Sequence, residues 1–299
     1  MNLRRVACAV GLALAVVAST QVVASAADAP PTYLLSLGDS LAASYQPTDP
    51  AQGTVTNTGD GYAEKLYASL RPTQRTLQLV KLGCPGETTT SMITGQKTTG
   101  PSCQYMDASS QLQAGVNFLK AHGSQVKYVT NTIGANDVQR CASTTTGSLD
   151  IPCALQGIAT LTGNLPNILG QLKAASAPST TFVGTNYYNP FLAAYLSSAP
   201  NAVFLAALTT FAAYLVNTIE ESEYHAVGAR VADVAGAFET YNFFTKKDLP
   251  GKGAVPVDVY NICTMTHECT VGDIHANDAG YTTIARAVLV ALGTPPSAL

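Results

Sequence analysis

Four short segments carry residue types that could act together in chemistry: Gly38-Asp39-Ser40-Leu41, Gly83-Cys84-Pro85-Gly86-Glu87-Thr88-Thr89, Gly134-Ala135-Asn136-Asp137 and Asp273-Ile274-His275-Ala276-Asn277-Asp278-Ala279-Gly280-Tyr281. Between them they supply a hydroxyl, an imidazole and neutral N–H donors, which are the parts acyl transfer needs. A serine hydroxyl is a poor nucleophile at neutral pH until a base takes its proton, and an imidazole can take that proton and return it to a leaving alcohol. An asparagine amide donates a hydrogen bond without titrating, and a glycine lets backbone come close to a substrate. Gly-Asp-Ser-Leu alone is equally an ordinary turn, because Gly, Asp and Ser are common turn and cap residues. Only the coincidence of the four segments gives the chemical reading weight.

That coincidence needs a scaffold that brings the segments together, and the hydrophobic pattern supplies one. Short apolar runs at 33–37, 76–82, 126–133, 180–186 and 229–234 read as strands. Between and after them, helical spacing is seen at 61–70, 109–121, 154–175 with a break expected near Pro166, 202–224 and 278–292. Strand alternating with helix predicts an α/β fold, a three-layer α/β/α sandwich on a mainly parallel sheet. Parallel strands end on one edge, so the loops after them can build one site from distant sequence. A helix beginning just after Ser40 would also aim its free N–H groups at a developing negative charge.

The chain's start and its cysteines bear on compartment. Arg4 and Arg5, the uncharged apolar run 6–18 and the small residues Ala24-Ser25-Ala26 match a secretory signal over 1–26, leaving 27–299 as one domain and the protein secreted. Cys8 falls within the signal. The other six, Cys84, Cys103, Cys141, Cys153, Cys263 and Cys269, form three near pairs in sequence. Of the possible pairings we expect Cys84–Cys103, Cys141–Cys153 and Cys263–Cys269 as disulfides of an oxidising compartment. A formal net charge of −3 gives no electrostatic footprint for nucleic acid.

In these four blocks the chain resembles the SGNH, or GDSL, hydrolases, and the blocks stand in family order over nearly all of 27–299. Its length and cysteines look most like the family's secreted actinobacterial esterases and lipases. The resemblance implies a flavodoxin-like sheet of five parallel strands, no cofactor, and a small-molecule or lipid ester as the partner. It implies Ser40 as nucleophile, His275 as general base, and an oxyanion hole made of the Ser40 and Gly86 N–H groups and the Asn136 amide. One departure stands out. The family's acid usually lies three residues before the histidine, where this chain has Gly272, and Asp273 lies only two before. Either Asp273 turns back onto the ring or the Gly272 carbonyl orients it.

Other groups have plainer readings. His267-Glu268-Cys269 fails the metalloprotease pattern because residue 271 is Val271, so no metal is expected there. His122 and His225 read as helix-end residues, and Asp39 and Asp137 as orienters of loop backbone. The apolar run 202–216 reads as a helix on the sheet rather than a span, with no stable membrane insertion expected, and part of 191–216 could line an acyl groove. Tyr187, Tyr188 and Phe191 are the candidate substrate contacts. Nothing in the sequence calls for more than a monomer. Alternatives to an esterase or lipase are a carbohydrate O-acetylesterase, or a cell-surface binding protein that keeps the fold without catalysis.

Overall fold

The computed structural model describes residues 29–49, 54–97, 103–105, 107–143 and 148–295. The expected export signal, Cys8 included, lies outside the described residues. Five strands form the central sheet: β1 (Thr32–Gly38), β2 (Leu77–Lys81), β3 (Val126–Thr132), β4 (Thr181–Thr185) and β5 (Arg230–Ala232). Their spatial order is β2-β1-β3-β4-β5 and every pair is parallel. This is the flavodoxin-like order expected from the resemblance. In such a sheet the connections leave β1 toward opposite sides, which opens a crevice at the carboxyl ends of β1 and β3.

Strand side chains alternate between the two faces, so β1 feeds two cores. Leu34 packs in one with Tyr62, Leu66 and Leu70 of helix α1 (Tyr62–Leu70) and with Tyr281, Ile284 and Val288 of the last helix. Leu35 and Leu37 pack in the other. There they meet Leu112, Val116 and Leu119 of α2 (Gln111–His122), and Leu161, Leu165, Ile168 and Leu172 of α3 (Ile151–Ala175). Helix α4 (Ala202–Ala226) gives Ala206 to the first core and Val216 and Tyr224 to the second. Helix α5 spans Asp278–Leu292, the bounds its spacing predicts.

The structure differs from expectation in several places. Helix α3 runs without a break through Pro166, which lies on the exposed face, where water can satisfy the carbonyl that the proline leaves free, while buried Leu165, Ile168 and Leu169 hold the axis. The chain after Ser40 makes one turn instead of a helix: the Asp39 carbonyl accepts from the Ala43 N–H at 3.0 Å and the Ser40 carbonyl from Tyr45 at 2.9 Å. Two hairpins, Tyr45–Asp49 with Thr54–Asn57 and Lys246–Leu249 with Gly253–Pro256, and the helix Val257–Met265 add to the sheet-and-helix frame. Helix α4 ends at Ala226, two residues past the 202–224 that its spacing predicts.

Three disulfides pair Cys84 with Cys103, Cys141 with Cys153 and Cys263 with Cys269, as expected. The last closes the turn between Val257–Met265 and the strand Asp273–Ala276, which pairs antiparallel with Thr266–His267.

Candidate active site

Ser40 and His275 line one pocket at the crevice, together with Asp39, Leu41, Ala135, Gln139, Tyr187, Tyr188, Pro190 and Ile274. Ser40 comes from the turn after β1, Ala135 and Gln139 from the segment after β3, the tyrosines from the loop after β4, and His275 from the strand ahead of α5. The approach of β1 to β3 demands glycine at its end. Gly38 has φ 128°, and a Cβ there would lie 2.0 Å from the Thr132 carbonyl oxygen. Its peptide is held by the buried Gln111 side chain, which accepts from the Gly38 N–H at 2.6 Å and donates to its carbonyl at 2.9 Å. Gln111 donates in turn to Glu87 at 3.1 Å, tying the end of β1 to the loop after β2.

Asp273 turns back onto His275. Its Oδ1 lies 2.8 Å from the ring Nδ1 and accepts from the His275 main-chain N–H at 2.9 Å. Burial pushes the Asp273 carboxyl up, but hydrogen bonding and charge from His275 outweigh that and hold it below the usual carboxylate range. With Nδ1 facing a carboxylate, Nε2 is left as the ring's lone-pair acceptor. The Tyr45 ring meets the imidazole edge-on at 5.0 Å between centroids.

Ser40 is buried, and among the described residues its Oγ makes no hydrogen bond. Asn136 sits beside Ala135 of the pocket wall. Its Nδ2 donates to the Glu87 carbonyl at 2.9 Å, and its Oδ1 accepts from Gln139 Nε2. These bonds fix the amide plane and leave one Nδ2 hydrogen over. Gly86 has φ 75° and lies in the neighbouring turn, outside the pocket lining itself. Among the described residues neither the Ser40 nor the Gly86 N–H bonds to another group. Asp39 and Asp137 orient backbone as expected: Asp39 accepts from Leu41 at 2.9 Å, and Asp137 from the N–H and hydroxyl of Thr89 at 2.9 and 2.7 Å.

The three expected substrate contacts divide. Phe191 lines an adjoining apolar pocket with Val138, Leu149, Thr209, Ala212, Ala213 and Val216. This pocket is partly open to solvent and shares Ala135, Gln139, Tyr187, Tyr188 and Pro190 with the Ser40 pocket. The rings of Tyr187 and Tyr188 stand between the two, but their hydroxyls bond to protein, on Asp39 and on the Ile274 carbonyl. Sequence reasoning missed Gln111 and Gln139. Gln111 carries no local signal, since it acts 73 positions away from Gly38, whereas Gln139 acts on Asn136 only three positions away, next to the Gly-Ala-Asn-Asp block. His122 ends α2, against Tyr33 and Phe118, and His225 lies in the last turn of α4.

Ser40, in the turn after β1, and His275, on the short strand ahead of α5, thus line one pocket. The chain belongs to the GDSL-like lipase/acylhydrolase family, whose model matches residues 36–283. Several solved structures share the fold, among them these three. An alpha/beta hydrolase enzyme from the metagenome of Lake Arreo, Spain, is 20% identical with a TM-score of 0.52, covering 89% of this chain and 96% of its own. An acetylxylan esterase from Geobacillus stearothermophilus is 14% identical with a TM-score of 0.53 over 89% and 96%. Phospholipase A1 from Streptomyces albidoflavus is 18% identical with a TM-score of 0.51 over 88% and 98%. No curated protein matches the sequence.

Proposed function

We propose that this hydrolase cleaves carboxylic esters with apolar acyl chains through an acyl-enzyme on Ser40. The observation that carries the reading is the Asp273–His275 pair at 2.8 Å, whose histidine lines the pocket that also holds Ser40. His275 Nε2 takes the Ser40 proton as Oγ attacks the ester carbonyl, and Asp273 stabilises the imidazolium that forms. The Ser40 and Gly86 N–H groups and the spare Asn136 hydrogen receive the oxyanion. The imidazolium then protonates the leaving alcohol. Water, deprotonated by the same ring, releases the acid and restores Ser40. The acyl chain lies in the apolar pocket beside Phe191 and α4, which favours an esterase or lipase over the carbohydrate O-acetylesterase, while Ser40, Gly86, Asn136 and His275 together argue against the non-catalytic binder.

In this reading residues 1–26 direct export and 27–299 act as one secreted hydrolase unit, which the three disulfides support. The test is covalent labelling by a fluorophosphonate, with an ester series from acetyl to palmitoyl. We expect one label on Ser40, none in Ser40→Ala, and turnover that rises with chain length beyond acetyl. A wild-type chain that takes no label and cleaves no p-nitrophenyl ester overturns the reading, and strict acetyl preference replaces it with the carbohydrate alternative.

A further inference from the structure

Tyr187 and Tyr188 are neighbours in the loop after β4, yet their hydroxyls diverge. Tyr187 donates to Asp39 Oδ2 at 2.6 Å, and Tyr188 donates to the Ile274 carbonyl at 2.8 Å. Asp39 immediately precedes Ser40, and Ile274 immediately precedes His275. One dipeptide therefore grips the residue before the serine and the residue before the histidine, on two segments that come from opposite ends of the chain.

The dipeptide is itself braced. Asn217 of α4 accepts from the Tyr187 N–H at 3.0 Å and donates to its carbonyl at 2.9 Å. The Tyr188 ring stacks on Phe238 at 4.5 Å with 17° between planes. Both tyrosines are buried. Neither hydroxyl is offered to a substrate, so their chemistry is directed at the protein.

The Asp39 contact shows what such a grip does. Its Oδ1 accepts from Leu41 within the serine turn, and its Oδ2 accepts from Tyr187. Without the phenol, a buried carboxylate oxygen is left unpartnered, and the relief open to it is rotation of Asp39, which carries the Leu41 bond and the Ser40 turn with it. At the other end, losing the Tyr188 bond frees the main chain at Ile274, which presents the imidazole.

We propose that Tyr187 and Tyr188 are positioning residues that together set the separation of Ser40 from His275, an inference that rests on the roles proposed above for those two side chains. Tyr187→Phe and Tyr188→Phe keep the rings and remove only the bonds. The readouts are kcat and KM on p-nitrophenyl butyrate, the rate of fluorophosphonate labelling, and Tm. We expect each variant to lose roughly ten- to hundredfold in kcat and in labelling rate, with KM within about twofold, as a small misplacement of reacting groups would cause. Because both bonds set one distance, the double variant should lose less than the product of the two. Tyr187→Phe should also add under about twofold in an Asp39→Asn background, since it acts through Asp39. A raised KM at unchanged kcat would make these residues substrate contacts and overturn the inference. So would wild-type labelling rates in both variants, or a kcat loss that follows a lowered Tm and disappears on cooling. A wild-type chain that takes no label sinks the role of Ser40 itself, whereas a labelled wild type with equally reactive variants sinks only the tyrosine assignment.

Discussion

Asp273 and His275 are joined twice through a single oxygen: Oδ1 faces the ring Nδ1 at 2.8 Å and receives the His275 main-chain N–H at 2.9 Å. A spacing of two residues suffices because the second bond folds the aspartate back over its own strand, beside the irregular pairing of Thr266–His267 with Asp273–Ala276. Asp273→Asn keeps this shape but presents an amide where the ring needs a carboxylate. Its kcat on a p-nitrophenyl ester should fall by about 10⁴-fold, the scale seen when a triad aspartate is made neutral. Near-normal turnover would return the orienting role to the Gly272 carbonyl.

Asn136 is held by Glu87 and Gln139 with one hydrogen over. If that hydrogen meets charge that exists only in the transition state, Asn136→Ala should lower kcat by roughly 10²- to 10³-fold and leave KM nearly as it was. Steady-state kinetics separate the two parameters, and a change confined to KM would place Asn136 in ground-state binding.

The apolar pocket beside α4 is bounded by the small side chains of Ala212 and Ala213. Ala213→Phe should fill it. Octanoyl esters should lose more than about tenfold in kcat/KM while acetyl esters change by under about twofold, since the loss is of methylene burial alone. Equal losses across the ester series would mean that the chain lies elsewhere.

Glu220 is fully buried on α4, and neither carboxyl oxygen has a hydrogen-bond partner. Burial first, then the charges of Asp39, Asp137 and Glu221, push its pKa well above the ordinary carboxyl value. From about pH 4.3, where an unfolded glutamate ionises, up to the native pKa, the folded chain keeps a proton that the unfolded chain has released, so stability falls as pH rises at about 1.4 kcal/mol per unit. Glu220→Gln cannot release a proton. Its Tm relative to wild type should therefore improve as pH rises from about 4.3 and level off once the native pKa is passed, on melting in matched buffers, and a constant difference would show that Glu220 is not protonated in the fold.

The parallel sheet was legible because β1 and β3 are apolar runs bounded by turn formers, and α5 carries a clean helical spacing with an Asn277 cap. Pro166 misled because a proline's effect depends on which side of the helix it faces, and a linear sequence does not display that. The hairpin Lys246–Leu249 with Gly253–Pro256 was missed because its first strand is Lys-Lys-Asp-Leu, exposed for most of its length and without alternation. Within the site, Ser40, Gly86, Asn136 and His275 stood out because each belongs to a local block. Gln111 and the Tyr187 hydroxyl did not, because their partners are set by tertiary packing: Tyr187 reaches Asp39 across 148 positions. Gln139 bonds Asn136 only three positions away, but a glutamine just past the Gly-Ala-Asn-Asp block has no distinctive signature.

The order in which the site's parts occur along the chain has a consequence for its biogenesis. Ser40 follows the first sheet strand, whereas His275 comes after the last and just before Asp278–Leu292. Ribosomes make the amino end first, so the alcohol is present through nearly all of translation without a base to activate it. On the roles proposed above, a product halted early, or trimmed back past Asp273 by a protease, keeps Ser40 but lacks its proposed base, and is expected to lose most of its esterase activity.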